Sequence, residues 1–140
     1  MSGKFFLDTN IFVYSFDARH APKQKKAQGL IEKALSSHDG LVSYQVVQEF
    51  LNVALRKFEK PLTPPEARTY LDTVLAPLCR TLPTIQLYQQ ALELREETGF
   101  GFYDSLILAS ALEAGCKTLY TEDLSHQQRI GNLTVQNPFL

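Results

Sequence analysis

Apolar runs of strand length alternate along the chain with stretches of helical period. Residues 4–7 predict a first strand, short and continuously apolar, as a strand buried in a parallel sheet is. Residues 11–16 are too few to classify by period. Residues 22–37 predict a helix, with Ala27, Leu30, Ile31, Ala34 and Leu35 on one side and Lys23, Lys25 and Lys26 near its start. Asp39-Gly40 is a turn signal, and residues 41–43 predict a second short strand. Ser43 is placed to cap a helix over 44–58. Its apolar face carries Val46, Val47, Phe50, Leu51, Ala54, Leu55 and Phe58; its polar face carries Gln45, Gln48, Glu49, Asn52 and Arg56.

Thr63-Pro64-Pro65-Glu66 joins a Thr cap and a reciprocal Glu with Pro at the first helical position, and predicts a helix running to about Leu78. Thr84 is placed to cap another that ends before Gly99. Residues 102–114 predict a late helix, apolar nearly all round, with Gly115 as its stop. Residues 117–120 and 133–135 predict closing strands. Helices between strands imply crossover connections. The expected fold is therefore α/β: one domain over 1–140, with a mainly parallel sheet of about four or five strands flanked by helices. The stretch 63–99 is too long for one crossover and predicts an inserted helical pair.

Composition narrows the class without naming it. The 140 residues are 44% hydrophobic and 21% charged, which is an ordinary globular balance rather than a disordered one. Two cysteines, Cys79 and Cys116, are too few for a disulfide framework and lack a Cys-x-x-Cys or zinc-site spacing. The opening apolar run is broken by Asp8 before a secretory signal could form, and no apolar run approaches the roughly 18 residues of a membrane helix. A cytoplasmic protein without membrane attachment is expected.

The informative residues are acids where an acid has no structural need to be. Asp8 follows an apolar strand in Leu7-Asp8-Thr9-Asn10, and Asp123 follows another in Leu119-Tyr120-Thr121-Glu122-Asp123. If both strands are parallel, both acids emerge at the carboxyl edge of the sheet, where open α/β sheets bind ligands. A turn or capping role explains either acid alone. Asp104 opens a helix with almost no polar face, where it also complements the helix dipole. A buried carboxylate there needs a partner or a cation. Glu49 lies on a polar helical stripe and is, on its own, an ordinary surface acid. There is no phosphate-cradling Gly-rich loop, no His-Glu-x-x-His and no Gly-x-Ser-x-Gly. His20, His38 and His126 are scattered, and a solvated helix face explains the lysine cluster as well as phosphate contacts do.

Taken in order, these positions resemble the PIN-domain family, in particular its single-domain VapC-type ribonuclease toxins from toxin–antitoxin pairs. The resemblance covers essentially the whole chain. Phe5-Phe6-Leu7-Asp8-Thr9-Asn10 matches the family's first acidic motif, and the span from Ser43 to Glu49 its Ser-then-Glu motif. Tyr103-Asp104-Ser105-Leu106-Ile107-Leu108-Ala109 matches the Asp that opens an apolar, alanine-rich helix, and Thr121-Glu122-Asp123 the late Thr-x-Asp. Residues 59–83 match only in being helical. The resemblance implies that Asp8, Glu49, Asp104 and Asp123 converge as catalytic residues of an endoribonuclease. Asp8, Asp104 and Asp123 would hold Mg²⁺ or Mn²⁺, and Glu49 would orient or deprotonate the attacking water. Thr9, Asn10, Ser105 and Thr121 would fix the carboxylate rotamers. An RNA substrate, a small antitoxin and a second copy of the chain are the implied partners.

Three rival readings are distinguishable. A receiver-type signalling domain normally carries an adjacent acidic pair after its first strand and an Asp after a middle one. Leu7-Asp8-Thr9 and Leu41-Val42-Ser43 offer neither. A non-catalytic PIN-like module for RNA or protein would be expected to have lost one of the acids. A PIN-like nuclease of RNA processing outside a toxin pair shares the same site. Net charge is no objection to RNA: 14 Lys and Arg face 15 Asp and Glu. Setting the four site acids aside leaves 11 acids against those 14 bases, a mildly basic body around an acidic pocket.

Overall fold

A computed structural model describes residues 3–140. Its centre is a six-stranded sheet: β1 (Phe5–Leu7), β2 (Gly40–Ser43), β3 (Cys79–Thr81), β4 (Thr118–Tyr120), β5 (Arg129–Ile130) and β6 (Leu133–Gln136), in the spatial order β3-β2-β1-β4-β6-β5. All pairings are parallel except the β5–β6 edge hairpin. Strands β1 and β2 are buried at every position, as their continuous apolar runs require. The mainly parallel sheet flanked by helices is the expected architecture. The strand count exceeds it, because β3 and β5 were not anticipated.

The helices are α1 (Thr9–Tyr14), α2 (Ala21–Ser37), α3 (Tyr44–Arg56), α4 (Pro64–Tyr70), α5 (Ala76–Leu78), α6 (Ile85–Thr98) and α7 (Phe102–Glu113). The ambiguous segment after β1 is thus helical, begun by Asp8, whose carboxylate caps Thr9 N–H. Thr63 and Glu66 form the reciprocal capping box, and Thr84 accepts from Leu87 N–H. Gly99 and Gly115 adopt left-handed backbone at φ 78° and 76° after α6 and near the end of α7.

Three expectations need correction. The helix expected to run from Thr63 to Leu78 is interrupted by a π-helical stretch over Leu71–Leu75. Pro77 follows after Ala76, and it lacks the N–H that would bond Thr73 four residues back. The segment 63–99 is not purely helical either, since β3 pairs with β2. With Arg80 exposed between Cys79 and Thr81, β3 is too short for its alternation to show. Ser43 occupies the N-cap position of α3 in extended backbone, but its hydroxyl makes no capping bond.

Two packing features hold the sheet to its helices. Phe50, wholly buried on α3, sits among the rings of Phe12, Phe16, Phe58 and Tyr70 at centroid separations of 5.0–6.2 Å. This cluster ties α3 to α1 and α4. Gly40 lets α2 approach β2: a Cβ there would lie 2.6 Å from Ala34 Cα and 2.8 Å from the Phe5 ring. Neither neighbour can yield cheaply, because one is backbone and the other belongs to the central strand. Gly40→Ala is therefore expected to destabilise the protein by about 1–3 kcal/mol, as overpacking does. Urea denaturation checks this; an unchanged midpoint would show that α2 can move away.

Candidate active site

The sheet turns in opposite directions on either side of β1. From β1 the chain passes outward to β2 and β3, then returns to the other side of β1 as β4. A crevice outside the carboxyl ends of the strands at such a switch point is the usual ligand site of an open α/β sheet. Asp8 leaves β1 there and Thr121 leaves β4. The two strands are locked in register by Leu7 opposite Tyr120 and by Asp8 N–H donating to Tyr120 O at 3.0 Å.

Asp8 is almost fully buried, at 5% exposure. One carboxylate oxygen accepts from Thr9 N–H at 2.7 Å, the other from the Thr121 hydroxyl at 2.8 Å. Burial is the main reason its pKa rises from 3.8 to about 7; the two hydrogen bonds oppose that rise, and Asp123 and Glu49 reinforce it. Thr121 is wholly buried, accepts from Asp123 N–H at 3.0 Å and is met by the Asn10 amide at 3.3 Å. The same Asn10 amide donates to Asp123 at 3.1 Å, while the Asn10 carbonyl accepts from Glu122 N–H. The residues after β1 and β4 are thereby knitted into one frame.

Glu49 enters from the second turn of α3 and accepts from the Thr9 hydroxyl at 2.6 Å and from the Gln45 amide at 3.3 Å. Asp104 enters half-buried from the first turn of α7. Its pKa is raised, first by burial and then by Asp123 and Glu49. Asp8 and Asp104 thus both feel the charge of Asp123 and Glu49, so the four predicted acids share one electrostatic field. Thr9 bonds to Asp8 and Glu49, Asn10 to Asp123 and Thr121 to Asp8. Ser105 bonds to none of these carboxylates: it is wholly buried and its hydroxyl points to Phe100 O at 3.5 Å, because it lies on the core side of α7.

Hard oxygen donors that repel one another suit a hard divalent cation. Among the described residues no three His, Cys, Asp or Glu side chains are drawn together as a ready-made cage. That is compatible with Mg²⁺ chemistry, in which one or two carboxylates bind and water fills the remaining positions. These oxygen donors suit such an ion where one or two of the carboxylates bind it directly and the others through water.

Two residues beside these acids have partners that the sequence did not show. Gln45, placed on a solvated face, is buried; its amide bridges Glu49 and Tyr103 O at 3.3 and 3.2 Å. Its position four residues before Glu49 was the available signal. Lys23 is not a free phosphate contact: its ammonium pairs with Glu122 at 2.7 Å beside the Tyr14 ring and hydroxyl. Tyr14 donates to the same carboxylate at 2.8 Å. This pairing joins α2 to the loop that carries Asp123.

The PIN-domain family model matches residues 5–132. The chain belongs to the PIN-domain family. Among solved structures, a toxin–antitoxin complex from Klebsiella pneumoniae is similar at 21% identity and TM-score 0.67, over 96% of this chain and 98% of that one. DNA-bound VapBC from Salmonella typhimurium is similar at 21% identity and TM-score 0.66, over 97% and 98%. VapC20 of Mycobacterium tuberculosis, a sarcin-ricin loop cleaving toxin, is similar at 22% identity and TM-score 0.57, over 86% and 90%. No curated protein matches the sequence. Membership of this family disposes of the receiver-type reading. No helix among the described residues is long and apolar enough to cross a membrane.

Proposed function

We propose that residues 1–140 form one nuclease domain, a Mg²⁺- or Mn²⁺-dependent endoribonuclease and the toxin of a toxin–antitoxin pair. The observation that carries this reading is the gathering of Asp8, Glu49 and Asp123 by Thr9, Thr121 and Asn10 at the switch-point crevice, with Asp104 near enough to feel the charge of Glu49 and Asp123. Asp8, Asp104 and Asp123 would hold the metal. A bound divalent ion supplies positive charge against the scissile phosphate and acidifies a coordinated water.

The protein's own groups do the positioning. Thr121 and Thr9 N–H each engage one oxygen of Asp8 and fix its rotamer. Asn10 holds Asp123, and Thr9 and Gln45 hold Glu49. Glu49, still with free lone pairs, accepts the proton of the attacking water. The water oxygen bonds to phosphorus as the bond to the 3′ oxygen breaks, and a proton passes to that oxygen. The products are a 5′-phosphate and a 3′-hydroxyl.

The kinds of complex formed by the structural neighbours support a small antitoxin as partner. A second copy of this chain is the other, and Ile85 and Leu92, exposed one above the other on α6, suit such a contact. The action is cytoplasmic.

Purified protein incubated with single-stranded RNA and Mg²⁺ is expected to leave 5′-phosphate ends. Chelation should stop the reaction and Asp104→Asn should lose it by at least a hundredfold (roughly, for a group acting on the transition state). Cleavage that persists in chelator, or in Asp104→Asn, would refute the assignment. Expression in bacteria should arrest growth; a nuclease that cleaves RNA without arresting growth belongs to RNA processing instead.

A further inference from the structure

A cavity of about 380 Å³ opens beside the carboxylates, on the same carboxyl edge of the sheet. Ser43 and Thr81, at the ends of β2 and β3, line its floor side; Gln45, Tyr88, Phe102 and Tyr103 line it from α3, α6 and α7. That volume falls in the range of small-ligand sites, roughly 300–1,000 Å³.

Two of its lining residues carry buried polar atoms without a partner: the Ser43 hydroxyl and the Gln45 side-chain carbonyl. The residues are 3% and 8% exposed. Buried polar atoms are ordinarily paired, and an orphan costs the protein its full desolvation. Ser43 does not use its hydroxyl as a helix cap, although it occupies the capping position. The rest of the wall mixes the rings of Tyr44, Tyr88, Phe102 and Tyr103 with aliphatic Pro83, Leu87 and Leu106, and Tyr103 stands 66% exposed at the rim. An adjacent donor and acceptor with an exposed aromatic face is the chemistry that recognises an unstacked nucleobase: hydrogen bonds to its edge, stacking on its plane.

The cavity is also coupled to the carboxylates. The Gln45 amide holds Glu49 and Tyr103 O together, and Tyr103 directly precedes Asp104. We propose that this cavity is a nucleobase pocket, seating a base next to the scissile phosphate through Ser43, Gln45 and Tyr103. This rests on the endoribonuclease reading and adds to it the element that reads the substrate. The Gln45 carbonyl accepts from a base N–H, the Ser43 hydroxyl donates to a base carbonyl or ring nitrogen, and Tyr103 covers the ring.

The test is an NMR titration of metal-free, isotope-labelled protein with each nucleoside 5′-monophosphate, and with ribose phosphate as the control without a base. At least one nucleotide should shift the amides around 43–45 and 102–104, while ribose phosphate should not. Tyr103→Ala should weaken binding roughly tenfold, the loss of one stacking contact. Ser43→Ala should weaken the preferred nucleotide selectively without lowering the melting temperature, because it deletes an unpaired hydroxyl rather than a bond. Equal response to ribose phosphate, or unchanged affinity in both variants, overturns the pocket. Running the RNA cleavage assay in parallel separates the two claims. Cleavage without base-dependent shifts defeats the pocket alone, base-dependent shifts without cleavage defeat the reaction alone, and neither defeats both.

Discussion

Asp8→Asn is expected to abolish metal-dependent RNA cleavage and, in the metal-free protein, to raise the melting temperature at alkaline pH. The two effects share a cause. Asp8 is buried beneath Thr121 beside other acids, and its folded pKa lies near 7 against an ordinary 3.8. The folded state therefore binds a proton more tightly than the unfolded chain does. The contribution of Asp8 to stability is greatest at acid pH, falls as pH rises from the ordinary value through about 7, and levels off above it. The charge at alkaline pH costs on the order of a few kcal/mol. An amide keeps the shape and never ionises, at the loss of one of the two acceptor oxygens that Thr9 N–H and the Thr121 hydroxyl donate to. The gain of the variant should be several degrees near about pH 8 and vanish near about pH 4. At Mg²⁺ concentrations too low to saturate the site, activity of the native protein should rise through neutrality, because proton and cation compete for the same carboxylate. Paired melting and cleavage profiles check this. An active Asp8→Asn would remove the residue from the site, and a pH-independent gain in stability would remove the electrostatic explanation.

Phe50→Ala is expected to cost about 3–5 kcal/mol, the range for truncating a buried aromatic in a close-packed core. Phe50 is wholly buried, stacks on Tyr70 at 5.0 Å and meets Phe12 and Phe58 edge-on. The loss removes these contacts and leaves a cavity among elements that the sheet holds apart. Against the 5–15 kcal/mol of a typical domain, it is a large fraction of total stability. Denaturant unfolding measures it. Because Glu49 lies one residue before Phe50 on α3, the variant should also cleave RNA more slowly under conditions where it remains folded. A loss below about 1 kcal/mol would show that the ring cluster collapses around the gap.

What could be read from the sequence was what leaves a local trace. Asp8 and Asp123 stood out because each ends an apolar run, and an acid at the end of a parallel strand faces the crevice. The box at Thr63 and Glu66 and the cap at Thr84 were visible because their partners lie three residues away. What left no local trace was set by tertiary contact. The hydroxyl of Thr9 meets Glu49 across 40 positions, and Lys23 meets Glu122 across 99. Gln45 looked solvated because its partners, Tyr103 O and the wall of the cavity, come from elsewhere in the chain. The three-residue β3 and two-residue β5 owe their form to neighbours rather than to their own pattern. Ser43 sits where a capping residue would, but its hydroxyl makes no capping bond.

The 113 positions between Asp8 and Thr121 close to a 2.8 Å hydrogen bond through the pairing of β1 with β4. Taken alone, closing so long a loop costs the chain more entropy than the shorter closure that pairs β1 with β2. The earlier β1–β2 unit brings Asp8 towards Glu49 but leaves Asp8 open to water on its β4 side. Burial of that carboxyl, the source of its altered acidity, arrives only when β4 docks. Under the proposed function, the acidity of the site and the pairing of β4 with β1 therefore stand or fall together.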